Sequence, residues 1–328
     1  MAQTTGAVRF HETGGPEVLR WEEVPLKPPA PGEVLLRHTA IGFNFHDTYV
    51  RSGLYPVPSL PAVPGVEAAG IVEAVGEGVA AFRKGDRVAY ATLLLGACSE
   101  RRLIPAAHLV PLPDDIPDEL AAGLMVKGMT AQYLLRRSHR VKKGETVLVH
   151  AAAGGVGLIL CQWAKRLGAI VIGTVGSREK AELAKQNGCD HPILYREEDF
   201  VTRVRAFTQD EGVDVVYDSV GKDTFQGSLD CLRPLGMLVS FGQASGKIPP
   251  FDVAQLMAKG SLFLTRPTLF THIAKREDLL AMAGEVFDAV RNGVFRVAIR
   301  KTYPLREAAR AHRDIEARRT TGVSIFLP

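Results

Sequence analysis

At 328 residues the chain is too long for one compact core and predicts two domains. With 46% hydrophobic and 23% charged residues and a formal net charge of +4, it has the make-up of an ordinary globular protein and gives no compositional support for nucleic-acid binding. No run of about 18 uninterrupted apolar residues occurs, and Met1-Ala2-Gln3-Thr4-Thr5 has neither a basic region nor an apolar core, so no membrane association and a cytoplasmic location are expected.

The first 120 or so residues read as β-rich. Glu33 to Ala40, Ala68 to Val75 and Arg87 to Tyr90 are short strand candidates, separated by proline and glycine punctuation. Pro28 through Gly32 and Pro56 through Pro64 cannot sit in central strands, so an irregular β domain is expected. From Leu120 the texture changes to a helix ending near Tyr133-Leu134-Leu135, followed by a basic run from Arg136 to Lys143 that reads as a solvated connection.

The most informative stretch comes next. Val147-Leu148-Val149 is a buried-strand pattern that runs through His150-Ala151-Ala152-Ala153 into Gly154-Gly155-Val156-Gly157 and an apolar helix. Ala152 and Gly154 let the backbone approach a pyrophosphate, Gly157 lets the helix pack closely, and the helix N-terminus faces the anion with its unsatisfied N–H groups. Ala152 stands where the dinucleotide fingerprint usually has its first glycine, so the match is Ala-x-Gly-x-x-Gly. Five further strand candidates follow, Ala169 to Thr174, Pro192 to Tyr195, Val213 to Tyr217, Met237 to Phe241 and Leu262 to Thr265, with helical segments such as Arg178 to Asn187 between most of them. That alternation predicts a parallel, doubly wound sheet. A helix is expected from Lys275 to Arg291, and strand character returns at Arg296 to Arg300 and Val323 to Leu327, a tail expected to rejoin the N-terminal β domain.

About twenty residues past the fingerprint, NAD-binding chains usually offer an acidic residue to the ribose. Here Gly173-Thr174-Val175-Gly176 ends uncharged and is followed by Ser177, Arg178 and Lys180, a hydroxyl and two cations suited to a 2′-phosphate. NADPH is therefore the expected cofactor, with Glu179 serving the helix dipole. The cysteines at 98, 161, 189 and 231 have no C-x-x-C spacing and read as packing residues in a reducing compartment.

Gly42-Phe43-Asn44-Phe45-His46-Asp47-Thr48-Tyr49, Arg51-Ser52-Gly53-Leu54-Tyr55, Gly85-Asp86-Arg87-Val88, His150 through Gly157 and Tyr217-Asp218-Ser219-Val220-Gly221 together resemble the zeta-crystallin-like quinone oxidoreductases of the medium-chain dehydrogenase/reductase superfamily. The resemblance implies an α/β fold made of a GroES-like β domain over 1–123, completed by 297–328, and a Rossmann NADPH-binding domain with a doubly wound parallel sheet over 124–296. It also implies a homodimer, and a cleft between domains where the nicotinamide meets its acceptor.

By the same resemblance Asn44 and Tyr49 lie near the nicotinamide and the acceptor, Tyr55 borders the acceptor pocket, and Asp47 orients its neighbours. Lys127 and Thr130 are carried over to the phosphate and nicotinamide side, Ala153, Gly154, Gly155, Val156 and Gly157 to the pyrophosphate, and Ser177 and Lys180 to the 2′-phosphate. Tyr195, Ser219, Phe241, Gly242, Thr265 and Arg318 complete the implied cofactor set, with Arg319 an alternative to Arg318.

Zinc-dependent relatives carry Gly-His-Glu where this chain has Gly65-Val66-Glu67, and Asn44 takes the place of an earlier cysteine ligand. Valine cannot ligate, so no metal is expected; Glu67 reads as a structural carboxylate, and His46 beside Asp47 as a loop residue. Without a Lewis acid the natural acceptor is one that takes hydride easily, a quinone or another small electrophile. Reduction of the double bond of enals, enones or enoyl thioesters is the second enzymatic reading. A crystallin-like or RNA-binding role is the non-enzymatic one, disfavoured because the basic run is short and no aromatic RNA-binding consensus is present.

Overall fold

The computed structural model describes residues 3–328. The chain opens with β1 (Thr4–Arg9) and β2 (Arg20–Pro25), an antiparallel pair of their own, and continues through β3 (Glu33–Phe43), α1 (Phe45–Arg51), β4 (Glu67–Val75), β5 (Arg87–Ala91), β6 (Arg101–Pro105), β7 (Leu109–Pro111) and α2 (Asp118–Tyr133). A π-helical turn over Leu134–Ser138 leads into β8 (Thr146–Val149). Then α3 (Gly155–Arg166), β9 (Ile170–Val175), α4 (Arg178–Gln186), β10 (His191–Leu194), α5 (Phe200–Phe207), β11 (Val213–Asp218), α6 (Phe225–Asp230), β12 (Leu232–Ser240), α7 (Ala254–Ala258), β13 (Phe263–Thr265) and α8 (Leu269–His272) follow in alternation. The chain closes with α9 (Arg276–Arg291), β14 (Ile299–Pro304), α10 (Ala308–Glu316) and β15 (Val323–Leu327).

Two compact units result. One comprises the residues up to Lys127, Ile273–Phe287 and Val297–Pro328; the other comprises Gly128–His272 and Asp288–Arg296. The segment Ile273–Phe287, which the sequence boundaries assign to the nucleotide-binding domain, thus clusters with the first unit. There the Arg276 guanidinium donates to the carbonyls of Ala107 and Leu109 at 2.7 Å.

In the first unit the sheet order is β14-β15-β3-β4-β5-β7, with β6 added to β3. Ser324 to Phe326 of the tail pair antiparallel with Phe43 to Ile41, so the tail joins this sheet. Its core gathers Leu36, Ile41 and Phe43 of β3, Val72 of β4, Tyr90 of β5 and Phe326 of β15. Fully burying a side chain such as Phe43 stabilises by about 1.5–3 kcal/mol.

In the second unit all strands run parallel in the order β10-β9-β8-β11-β12-β13. Counted from β8 as first, this is the doubly wound order 3-2-1-4-5-6, whose switch point lies between β8 and β11. Val147, Leu148 and Val149 are wholly buried, as a strand covered on both faces requires.

Candidate cofactor and acceptor sites

The loops past the carboxyl ends of the parallel strands carry most of the cofactor candidates. Ala153, Gly154, Gly155, Val156 and Gly157 follow β8, Ser177 and Lys180 follow β9, Tyr195 follows β10, Ser219 follows β11, Phe241 and Gly242 follow β12, and Thr265 ends β13. The sheet therefore brings them to one edge. Thr130 lies on α2 and is 7% exposed, while Arg318 belongs to the first unit, in a left-handed turn after α10 (φ +58°). Arg319 beside it pairs with Asp314 at 3.5 Å.

The turn after β8 has the shape that close anion approach needs. Gly154 caps α3 without any side-chain hydrogen bond, and no acidic residue stands in the first turn of that helix, so its N–H groups and dipole are not neutralised from within. A Cβ on Gly157 would lie 2.3 Å from the Ala151 carbonyl oxygen, which is why only glycine fits there. Ala152, in the place of the usual first glycine, is buried, and its Cβ meets the backbone face of Gly173 so closely that a side chain at 173 would overlap it. An alanine is thus tolerated at 152 because β9 supplies the missing space. These features fit a dinucleotide.

Ser177 caps α4, its Oγ accepting from the Lys180 N–H at 3.3 Å. The same hydroxyl donates to Glu179, holding that exposed carboxyl below its usual range. Tyr195 closes over the turn, with its hydroxyl 3.0 Å from where a Cβ on Gly176 would stand. Arg178 is mostly exposed and contacts Glu197 at 3.5 Å.

In the first unit, Asn44 and Asp47 start a helix. Asp47 accepts from the Asn44 backbone N–H at 2.8 Å, and the Asp47 N–H donates back to the Asn44 carbonyl at 3.1 Å. The reading of His46 as a loop residue is corrected by this geometry: it lies, with Asp47, in the first turn of α1, and the capping pair fixes the start of the helix. The rings of Tyr49 and Tyr55 meet edge-on with centroids 5.1 Å apart, and the Tyr55 N–H donates to the Tyr49 carbonyl. Tyr49 is 8% exposed and Tyr55 half-buried, so packing already fixes both rings.

Glu67 is the hub that sequence reading understated. Its carboxylate is fully buried and accepts from Asn44 Nδ2 at 2.7 Å, Lys127 Nζ at 2.8 Å and the Val126 N–H at 2.6 Å. A side chain on Gly42 would strike this carboxylate at 2.3 Å. Lys127, carried over to the cofactor by resemblance, has its ammonium engaged with Glu67. Val66, in the place of a zinc-binding histidine, is buried, and among the described residues no group of three or more His, Cys, Asp or Glu could hold a metal. All four cysteines are buried and unbridged. No helix among the described residues is long and apolar enough to cross a membrane.

Residues 30–145 match the alcohol dehydrogenase GroES-like domain and residues 155–281 match the zinc-binding dehydrogenase family. The chain is 52% identical over 321 residues to a quinone oxidoreductase of Pseudomonas aeruginosa, covering 98% of this chain and 99% of the relative. It is 51% identical over 329 residues to a 2-haloacrylate reductase of a Burkholderia species, covering 98% of each. The crystal structure of Escherichia coli quinone oxidoreductase complexed with NADPH superimposes with a TM-score of 0.96 at 49% identity, covering 98% of this chain and 100% of that one.

A GroES-like β unit joined to a 3-2-1-4-5-6 nucleotide sheet defines a medium-chain dehydrogenase/reductase, and this chain is one. Within that superfamily it belongs to the zeta-crystallin-like quinone oxidoreductase family.

Proposed function

We propose that this protein is an NADPH:quinone oxidoreductase that works without zinc. The observation that carries the reading is the near full-length identity to quinone oxidoreductases, joined to a cofactor edge whose β9 turn presents Ser177 and Lys180 where NAD-binding chains place an acid. Gly154 to Gly157 would hold the pyrophosphate on backbone N–H groups, and Ser177, Lys180 and Tyr195 the 2′-phosphate end. NADPH supplies the hydride when bound. The protein supplies alignment and exclusion of water.

Asn44, Tyr49 and Tyr55 are proposed to border the acceptor, with Asp47 and Glu67 holding the Asn44 backbone and amide in register. An amide or phenol placed there can stabilise the oxygen on which negative charge develops, while water can protonate a hydroquinone anion, so no dedicated acid is assigned. Lys127, Thr130, Ser219, Phe241, Gly242, Thr265 and Arg318 remain proposed cofactor contacts on the strength of the resemblance.

A second reading, reduction of an activated double bond, is favoured by the 51% identity to the 2-haloacrylate reductase. Following the reduced-nicotinamide absorbance with NADPH and NADH against 1,4-benzoquinone, a larger ortho-quinone, an unsaturated aldehyde and 2-chloroacrylate separates the two. Rapid NADPH oxidation by quinones supports the leading reading, turnover confined to the alkenes replaces it, and no turnover with any acceptor defeats both.

The protein is also proposed to be a homodimer. β13 is one of the two outer strands of the parallel sheet, and the apolar side chains of Phe263 and, on α7, Met257 are 55% and 72% exposed, an edge suited to a second copy. Light scattering is expected to return about twice the chain mass; a monomer at micromolar concentration would remove this proposal. The four unbridged cysteines fit a reducing compartment such as the cytoplasm.

A further inference from the structure

We propose that His150 and Thr174 set the spacing between the cradle that takes the pyrophosphate and the turn that takes the 2′-phosphate. They thereby act as positioning residues for the choice of NADPH over NADH, an inference that rests on the cofactor reading above.

Behind the cofactor edge of the second unit lies a closed chain of polar side chains, none more than 3% exposed: Thr174, His150, Ser228 and Asp218. His150 Nδ1 is 2.9 Å from Thr174 Oγ1, His150 Nε2 is 3.0 Å from Ser228 Oγ, and Ser228 Oγ is 3.1 Å from Asp218 Oδ2. The direction of every proton in this chain follows. A carboxylate only accepts, so the one Ser228 proton is donated to Asp218, and the serine oxygen must accept from His150 Nε2–H. Burial lowers the pKa of His150 against the opposing pull of Asp218, so the imidazole is neutral and its Nδ1 is a bare acceptor. Thr174 therefore donates its hydroxyl proton to Nδ1.

Three of the members stand at different strand ends of the cofactor edge, and Ser228, on α6, joins them from behind. His150 directly precedes the cradle, and its backbone N–H donates to the Tyr217 carbonyl at 3.0 Å. Thr174 stands three residues before Ser177, and its carbonyl accepts from the Ala152 N–H at 3.1 Å. Asp218 also accepts from the N–H groups of Val220 and Gly221 and from Thr224, which folds the loop after β11. One neutral imidazole thus ties the carboxyl ends of β8 and β9 together and, through Ser228, that of β11, braced by the Phe200 ring edge-on at 5.1 Å.

The two phosphate groups of NADPH are joined by one adenosine, so the distance between their protein sites must match a fixed length. If the β9 turn slips relative to the cradle, the 2′-phosphate contact is lost while the pyrophosphate stays bound. NADH has no 2′-phosphate and does not sense the slip.

Thr174→Val keeps the β-branched shape and the strand but removes the donor to Nδ1. His150→Gln reaches toward Ser228 and releases Thr174. Thr174→Ser keeps the hydroxyl and is the rescue. Dissociation constants for NADPH and for NADH are measured by nicotinamide fluorescence on each full-length variant, with melting temperature alongside.

The expected result is NADPH weakened about five- to tenfold in Thr174→Val and His150→Gln. NADH is expected to be unchanged, and the ratio restored in Thr174→Ser. Folded variants that bind both cofactors as the parent does, or that lose both by the same factor, overturn the positioning role. A parent protein with no preference for NADPH instead overturns the cofactor reading on which it rests.

Discussion

Glu67→Ala is expected to destabilise the protein by about 3–5 kcal/mol, read as a shift of the urea unfolding midpoint at constant slope. The carboxylate is fully buried, and three donors converge on it: the Asn44 amide and the Lys127 ammonium on Oε1, the Val126 N–H on Oε2. Truncation leaves a buried ammonium without its counter-charge, which carries a desolvation penalty that nothing offsets, and it removes the carboxylate from the Val126 N–H. Glu67→Gln is expected to recover little, because an amide offers one oxygen where two are used, and its NH₂ would face a donor whichever way it turned.

The informative comparison is the double variant Glu67→Leu with Lys127→Met. It removes both charges and should regain a large part of the loss, since an apolar pair of similar volume is often as stable as a buried ion pair. A Glu67→Ala protein that unfolds at the parent's midpoint would show that the pair contributes nothing. Because Glu67 also holds the Asn44 amide, the folded fraction of each variant should lose acceptor turnover beyond what its stability predicts.

The parallel sheet is legible in the sequence because its strands are covered on both faces and so read as unbroken apolar runs, as at Val147 to Val149, closed by glycine turns. The proposal for Ser177 and Lys180 draws on a related regularity: in the doubly wound topology the end of the second strand faces the ribose, so a residue's place along the chain suggests its place at the ligand. The first unit offers no such shortcut. Glu67 meets Asn44 and Lys127 across separations of 23 and 60 residues, through loops whose course no periodicity records.

α1 escapes notice because seven residues show no full apolar stripe, although the Asn44-x-x-Asp47 spacing is the capping signal that marks it. α10 is hidden by composition. Its buried face is Ala308, Ala311 and His312, small or polar residues that read as surface until Arg51 is seen reaching the Glu316 carboxylate at 2.5 Å. The polar chain through His150 is invisible for the same reason, since Thr174, Ser228 and Asp218 become neighbours only once β8, β9 and β11 lie side by side.

Lys180→Glu is expected to weaken NADPH about a hundredfold or more while changing NADH by no more than about threefold. Lys180 stands in the first turn of α4, half-buried, with its backbone N–H on the Ser177 hydroxyl. A glutamate keeps that backbone bond and is favoured by the helix N-terminus, so the fold should be undisturbed and any loss belongs to the ligand. The substitution exchanges an attraction to the dianionic 2′-phosphate for a repulsion, next to a Glu179 carboxyl already held ionised by Ser177.

Salt separates this effect from the spacing role of Thr174. Charge reversal acts through solvent-screened Coulomb forces, so the penalty on NADPH should shrink as ionic strength rises from about 0.01 to 1 M. A displaced turn acts through broken geometry, so the penalty of Thr174→Val should hold across the same range. An equal loss of NADPH and NADH in Lys180→Glu would mean that the 2′-phosphate is recognised elsewhere.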